Sequence, residues 1–113
     1  MDRYAIPVRN GRSVSLSAAQ LRRIATGLGC SNQEVFEGDP PAIIRAIMSL
    51  PAAERAEAVQ VIQLRFAEKL DVESISHNCG LNPWEVWRLE SAFLAALDDQ
   101  AAAAGQLPET VVV

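Results

Sequence analysis

The sequence predicts an all-α domain, a compact bundle of five to six helices with room for a short N-terminal β-hairpin. Three observations predict it. Half of the 113 residues are hydrophobic, but only six are aromatic, so the apolar mass is aliphatic and Ala alone supplies 18 residues. From residue 17 onward the apolar positions recur at the three- and four-residue spacing of helix faces. Each run is bracketed by helix signals, with Ser, Asp or Asn before it and Gly or Pro after it. A chain of this length makes one domain and buries roughly two thirds of the surface it exposes when unfolded.

Residues 1–16 form an arm or a hairpin. Asn10-Gly11 lies between two short apolar-containing runs, and both residues tolerate the positive φ of a tight hairpin turn. Pro7 confines the first run to a sheet edge, and an extended arm satisfies the same residues. The helical domain then spans residues 17–104. Ser17 and Gln20 make a capping box for a first helix carrying Leu21, Ile24 and Leu28 and stopping at Gly29. Ser31 and Glu34 open a short second helix that ends at Gly38. Asp39-Pro40 caps a third, with Ile43, Ile44, Ile47 and Met48, before Leu50-Pro51. A long fourth helix runs from about Pro51 to Leu70. Asp71 caps a fifth, containing Val72 and Ile75 and closed by Gly80. Asn82, Pro83 and Glu85 then occupy the N-cap, first and third positions of a sixth helix that reaches about Ala104. Gly105 to Pro108 is expected to break it, leaving residues 105–113 as a tail. Its terminal valines suit strand addition to a neighbour or a frayed end.

The net charge of −4 hides a gradient along the chain. Residues 1–30 set five arginines against Asp2, a balance of +4, whereas residues 71–113 set Arg88 against seven acids, a balance of −6. Nucleic-acid binding needs cations to replace phosphate counterions, so the C-terminal half is a poor candidate. The basic patch of Arg9, Arg12, Arg22 and Arg23 is a better one, and it equally suits pairing with acidic surface on its own or a neighbouring chain. Arg outnumbers Lys nine to one, which with the abundance of Ala points to a high-GC bacterial genome. No apolar run reaches the roughly 18 residues of a membrane span, and the start of the chain lacks an apolar signal segment. A cytoplasmic protein with no membrane partner is expected.

Cys30 and Cys79 have no metal-type spacing. His77 beside Cys79 invites a zinc reading, but structural zinc takes four ligands, usually in two close pairs. Reduced, packed thiols and no cofactor are the expectation. An enzyme is disfavoured as well, because there is one His, no nucleophile–base spacing and no Gly-rich phosphate loop.

Ile75, Ser76, Gly80, Leu81, Val86 and Leu89 fill a recurring pattern: an aliphatic and a small residue, a turn Gly, then two aliphatics on a second helix. The segment 75–89 resembles a helix-turn-helix of the sigma-factor region 4 type. A similar string, Ile24-Ala25 to Gly29 and on to Glu34-Val35-Phe36, lies 51 residues earlier and looks like the closing portion of a Cro/repressor-type domain. Any helix, Gly stop, polar cap and new helix produces the same string, so a duplication is not required. The resemblance implies a regulatory context. It places Asn82, Pro83, Trp84, Trp87 and Arg88 in the groove-facing slots. Bases are read by Arg, Lys, Asn and Gln, and two indoles flanked by Glu85 and Glu90 fit that task badly.

Helical angles suggest a different use. On the last helix Val86, Leu89, Phe93, Ala96 and Leu97 share one arc of about 100°, a complete core face. Trp84, Trp87 and Leu94 form a second stripe roughly 120° away. The fourth helix repeats the arrangement, with Val59, Ile62, Phe66 and Leu70 on one face and Val61 and Leu64 almost opposite. A helix apolar on two sides is either central to its own domain or shared with another chain. The candidate partner-binding residues are therefore Val61, Leu64, Trp84, Trp87 and Leu94. The expected function is that of a small bacterial regulator acting by protein–protein binding. It would be homodimeric through the second faces of its long helices, and an anti-activator of a transcription factor, for example of the LuxR quorum-sensing type. A helix-turn-helix DNA-binding regulator is the alternative.

Overall fold

A computed structural model describes residues 3–29 and 41–112, with side chains as far as residue 100. The expected second helix, the Asp39-Pro40 cap and Cys30 lie outside the described residues. The rest is mostly helical, with a two-stranded hairpin at the start.

Strands β1 (Arg3–Pro7) and β2 (Ser13–Ser17) pair antiparallel, with Tyr4 opposite Leu16 and Ile6 opposite Val14. Alternation puts those four residues on one side, where Ile6 and Leu16 are fully buried. Asn10 and Gly11 take φ of 67° and 69°, the left-handed backbone that the dipeptide favours. The hairpin is thus formed rather than a loose arm. Its connection spans residues 8–12, and the Val8 amide donates to the Arg12 carbonyl at 2.9 Å.

Helix α1 (Ala18–Leu28) starts at the expected capping box: the Ser17 hydroxyl accepts from the Gln20 amide while the Gln20 side chain accepts from the Ser17 amide. It ends at Gly29, left-handed at φ 81°. Helix α2 (Ala42–Met48) buries Ile43, Ile44, Ala46 and Ile47. Helix α3 (Ala52–Ile62) differs from the continuous helix expected as far as Leu70. At Gln63 it passes into a π-turn, Gln63–Ala67, and the Glu68 amide donates to the Gln63 carbonyl five residues back. Each such bond takes one residue more than an α-turn, so faces drawn at 100° per residue no longer hold beyond Ile62. Lys69 then closes the segment at φ 60°, and the Leu70 amide reaches the Leu64 carbonyl. Gly29 and Gly80 fill the same left-handed slot after their helices. A side chain there costs about 1–2 kcal/mol.

Helix α4 (Val72–Cys79) is capped by Asp71, whose carboxylate accepts from the Ser74 amide at 2.8 Å, and it ends at left-handed Gly80. Helix α5 (Pro83–Val112) is longer than expected and absorbs the segment taken as a tail. Extending an existing helix adds a hydrogen bond per residue fixed, and Ala101–Ala104 is the best helix-forming run in the chain. Gly105 and Pro108 weaken that end without stopping it.

The core is one cluster drawn from every element, with α3 in the middle, packed against β1, α2, α4 and α5. Phe66 and Phe93 meet at 6.2 Å between ring centres. Two polar fixtures hold the frame. The Arg55 guanidinium donates to the carbonyls of Leu50, Pro7 and Met48 at 2.7–2.9 Å, tying α2, α3 and the hairpin together. Arg65 joins the π-turn to Glu90 of α5 at 2.5 Å. Helix α1 approaches the π-turn so closely that a Cβ on Gly27 would lie 2.0 Å from the Phe66 carbonyl oxygen. That glycine is required by the close approach of two backbones.

Candidate protein-binding surface

The corner between α4 and α5 is built by local rules. Gly80 turns the chain, the Leu81 amide donates back to the Ser76 carbonyl, and the Ser76 hydroxyl donates to the Leu81 carbonyl. The Asn82 side chain then accepts from the Glu85 amide at 2.8 Å, and Pro83 opens α5. Val86, Leu89 and Phe93 enter the core as expected, which turns the other side of the first two turns outward.

Trp84 and Trp87 lie on that outer side, 61% and 55% exposed. With Met48 at 37%, they are the exposed large hydrophobic residues among the described residues. Three residues apart on a helix, the indoles are surface neighbours. They are also the only two tryptophans of the chain.

The polar residues of this corner are occupied. Arg88 donates to Glu54 of α3 at 2.7 Å and to Glu85 at 3.0 Å, and these two carboxylates hold its guanidinium more firmly protonated than usual. Asn82 caps the helix. Both are thus engaged within the chain, and Pro83, Trp84 and Trp87 are the remaining members of the groove-facing slots. The acids Glu57 on α3 and Glu73 on α4 are exposed, and at the start of α4 Asp71 is held below the ordinary aspartate range, first by the Ser74 amide and then by the Ser74 hydroxyl.

The five residues singled out from the sequence separate here. Trp84 and Trp87 are on the surface and adjacent. Leu64 and Leu94 are half-buried against the core cluster. Val61 is fully buried, so it belongs to the core and is withdrawn from the contact surface. Its side of α3 is covered by packed elements, while Ala53, Ala56, Glu57 and Gln60 of the same helix stay exposed. Met48 and the Arg88–Glu54 clasp were missed. Met48 sits last in α2, where an apolar residue of a core helix reads as core, and the clasp joins residues 34 apart.

Cys79 is half-buried, and burial first, then nearby Glu57, pushes its thiol upward, away from the thiolate needed for attack or metal binding. His77 is exposed. Among the described residues no three of His, Cys, Asp and Glu converge as a metal site, and no helix is long and apolar enough to cross a membrane.

Comparison with protein-family models, with curated proteins and with solved structures gives no match to this chain.

Proposed function

We propose that this protein is a regulator that works by binding another protein through the surface centred on Trp84 and Trp87. One observation carries the reading. Two neighbouring indoles stand more than half exposed while the polar groups between and beside them are already paired within the chain. Exposing two Trp side chains is unfavourable in water, and Trp is the residue most enriched at the energetic centres of protein interfaces. The helix-turn-helix resemblance gives the context, transcription, and its indole-filled slots turn the recognition toward protein rather than DNA. Capture of a transcription activator, with the acidic surface meeting a basic partner, fits both features. Self-association through the same surface accompanies this reading.

Capture by the tagged wild-type chain from the native cell, compared with W84A/W87A, tests it. The expected result is a transcription activator retained by the wild type and lost by the variant, with a blue shift of tryptophan emission on reconstitution. Equal capture by both chains overturns the surface, and retardation of duplex DNA at low salt favours the DNA-binding alternative.

A further inference from the structure

We infer that the outer edge of β2 binds an extended acidic peptide segment, which joins the hairpin as a third strand. The hairpin register fixes which backbone groups point outward. The Val8 amide bonds the Arg12 carbonyl, so Val8 with Arg12, Ile6 with Val14 and Tyr4 with Leu16 are the hydrogen-bonded pairs. The residues between them turn their amides and carbonyls away from the partner strand. On β2 these are Ser13, Ser15 and Ser17. The Ser17 amide donates to the Gln20 side chain. The amides and carbonyls of Ser13 and Ser15 have no partner among the described residues, and both residues are exposed. Two amides and two carbonyls thus stand at the spacing that an added strand completes.

Folded domains protect such an edge with Pro, charge, a bulge or a covering element. The β1 edge has that protection, because Pro7 lacks an amide hydrogen and its carbonyl accepts from Arg55 at 2.9 Å. The β2 strand, Ser13–Ser17, has no proline, no charged residue and an unbroken register. Between the two open serines, Val14 is only half-buried against the core. An incoming antiparallel strand meets it as a non-hydrogen-bonded pair, where facing side chains come closest. An apolar residue opposite Val14 therefore extends the inner face of the sheet.

Charge names the occupant. Residues 3–17 hold Arg3, Arg9 and Arg12 and no acid. Arg9 and Arg12 flank the turn, exposed and without an ion pair among the described residues. Arg3 reaches across the outer face to a neutral acceptor, the Ser15 hydroxyl, at 3.2 Å. A second copy of β2 would bring the same three arginines against these, a repulsive arrangement. Nucleic acid suits the arginines but not the outward carbonyls, which repel phosphate. An extended peptide with acids alternating about an apolar residue answers both, its backbone closing the ladder and its acids facing the arginines. None of these residues belongs to the Trp84/Trp87 surface.

The probe is a fluorescein-labelled peptide of alternating Asp and Val, titrated into the full chain and followed by anisotropy. Amide NMR of the isotope-labelled protein at saturation locates the site. The Ser13 and Ser15 amides should shift and exchange more slowly with solvent. R9E/R12E should weaken the Asp/Val peptide about tenfold or more and admit a Lys/Val peptide that the wild type refuses. Ser15→Pro removes an outward amide but no bond of the hairpin's own ladder, and it should weaken binding about tenfold. Where proline also loosens the hairpin, the charge-reversed chain still decides. W84A/W87A should bind the peptide as the wild type does. Absence of saturable binding, equal binding of the two peptides, or unchanged binding by R9E/R12E overturns the inference. So do peptide shifts centred on Trp84 and Trp87. Slow exchange at Ser13 and Ser15 that grows with protein concentration, without peptide, overturns it in favour of self-pairing. DNA that shifts the same amides and displaces the peptide overturns it in favour of a nucleic-acid surface.

Discussion

Helices α3 and α5 each carry two apolar stripes, and they use the second one in opposite ways. On α3 it is Val61 and Leu64, one fully buried and the other packed against the core. On α5 its first turns carry Trp84 and Trp87, both facing water. The stripes look alike on a helical wheel. Position decides between them: Val61 and Leu64 fall where other elements pack on α3, whose exposed face is Ala53, Ala56, Glu57 and Gln60, whereas Trp84 and Trp87 fall on the uncovered side of α5. A second apolar stripe is thus evidence for an interface only where it falls on an uncovered side.

The largest expected effect tests the α3 half of that contrast. Val61→Glu places an unpaired charge in the core and should cost about 3–5 kcal/mol, enough to unfold a marginal domain. Circular dichroism of the purified variant checks it. Retention of full helical content would return Val61 to the surface. Leu64→Glu should also destabilise, by less, because its side chain is only half covered.

Gly27→Ala should cost about 1–3 kcal/mol, since the new methyl group collides with backbone rather than a movable side chain. Chemical denaturation measures it. A neutral result would mean that α1 does not press on the π-turn.

On α5 the expectation is reversed. Trp84→Ala and Trp87→Ala should each change stability by no more than about 0.5 kcal/mol, the range of exposed positions, while removing partner binding. Denaturation and binding measured on the same samples separate the two effects. A loss of several kcal/mol would make the indoles core residues and erase the contrast.

The smallest effect concerns the cap that starts α4, the helix leading into that corner. Asp71 has its folded-state pKa lowered, so its contribution is complete above the ordinary aspartate pKa and is lost as pH falls through the lower folded value. Melting followed from pH 6 down to about pH 3 should show that part of the acid destabilisation is missing in Asp71→Asn, which keeps a capping oxygen without the charge. Identical acid profiles would show that the charge adds nothing to the cap.

Much of this architecture was legible because its signals act within a few residues. Ser17 with Gln20, Asp71 with Ser74 and Asn82 with Glu85 are caps closed over three positions, and Asn10-Gly11, Gly29 and Gly80 mark backbone that other residues adopt at a cost. The site was half legible. Trp84 and Trp87 stood out by type and phase, yet the same reasoning selected Val61, because phase around one helix carries no information about which neighbours surround it. Glycine patterning also pointed the wrong way at two places. Gly105 reads as a stop yet lies inside α5, while Lys69 takes a left-handed slot where no glycine announces one.

By itself the sequence determined the helical class, the hairpin turn, the caps and the inward face of α5, since each follows from residues in local register. Only the tertiary structure decided that Val61 is covered and that the indoles remain outside. It also decided that Arg88 is held by Glu54 and that Arg55 joins three carbonyls. Those outcomes depend on how elements far apart in the chain pack together. Their energies come from the burial and pairing of residues that are not neighbours in sequence.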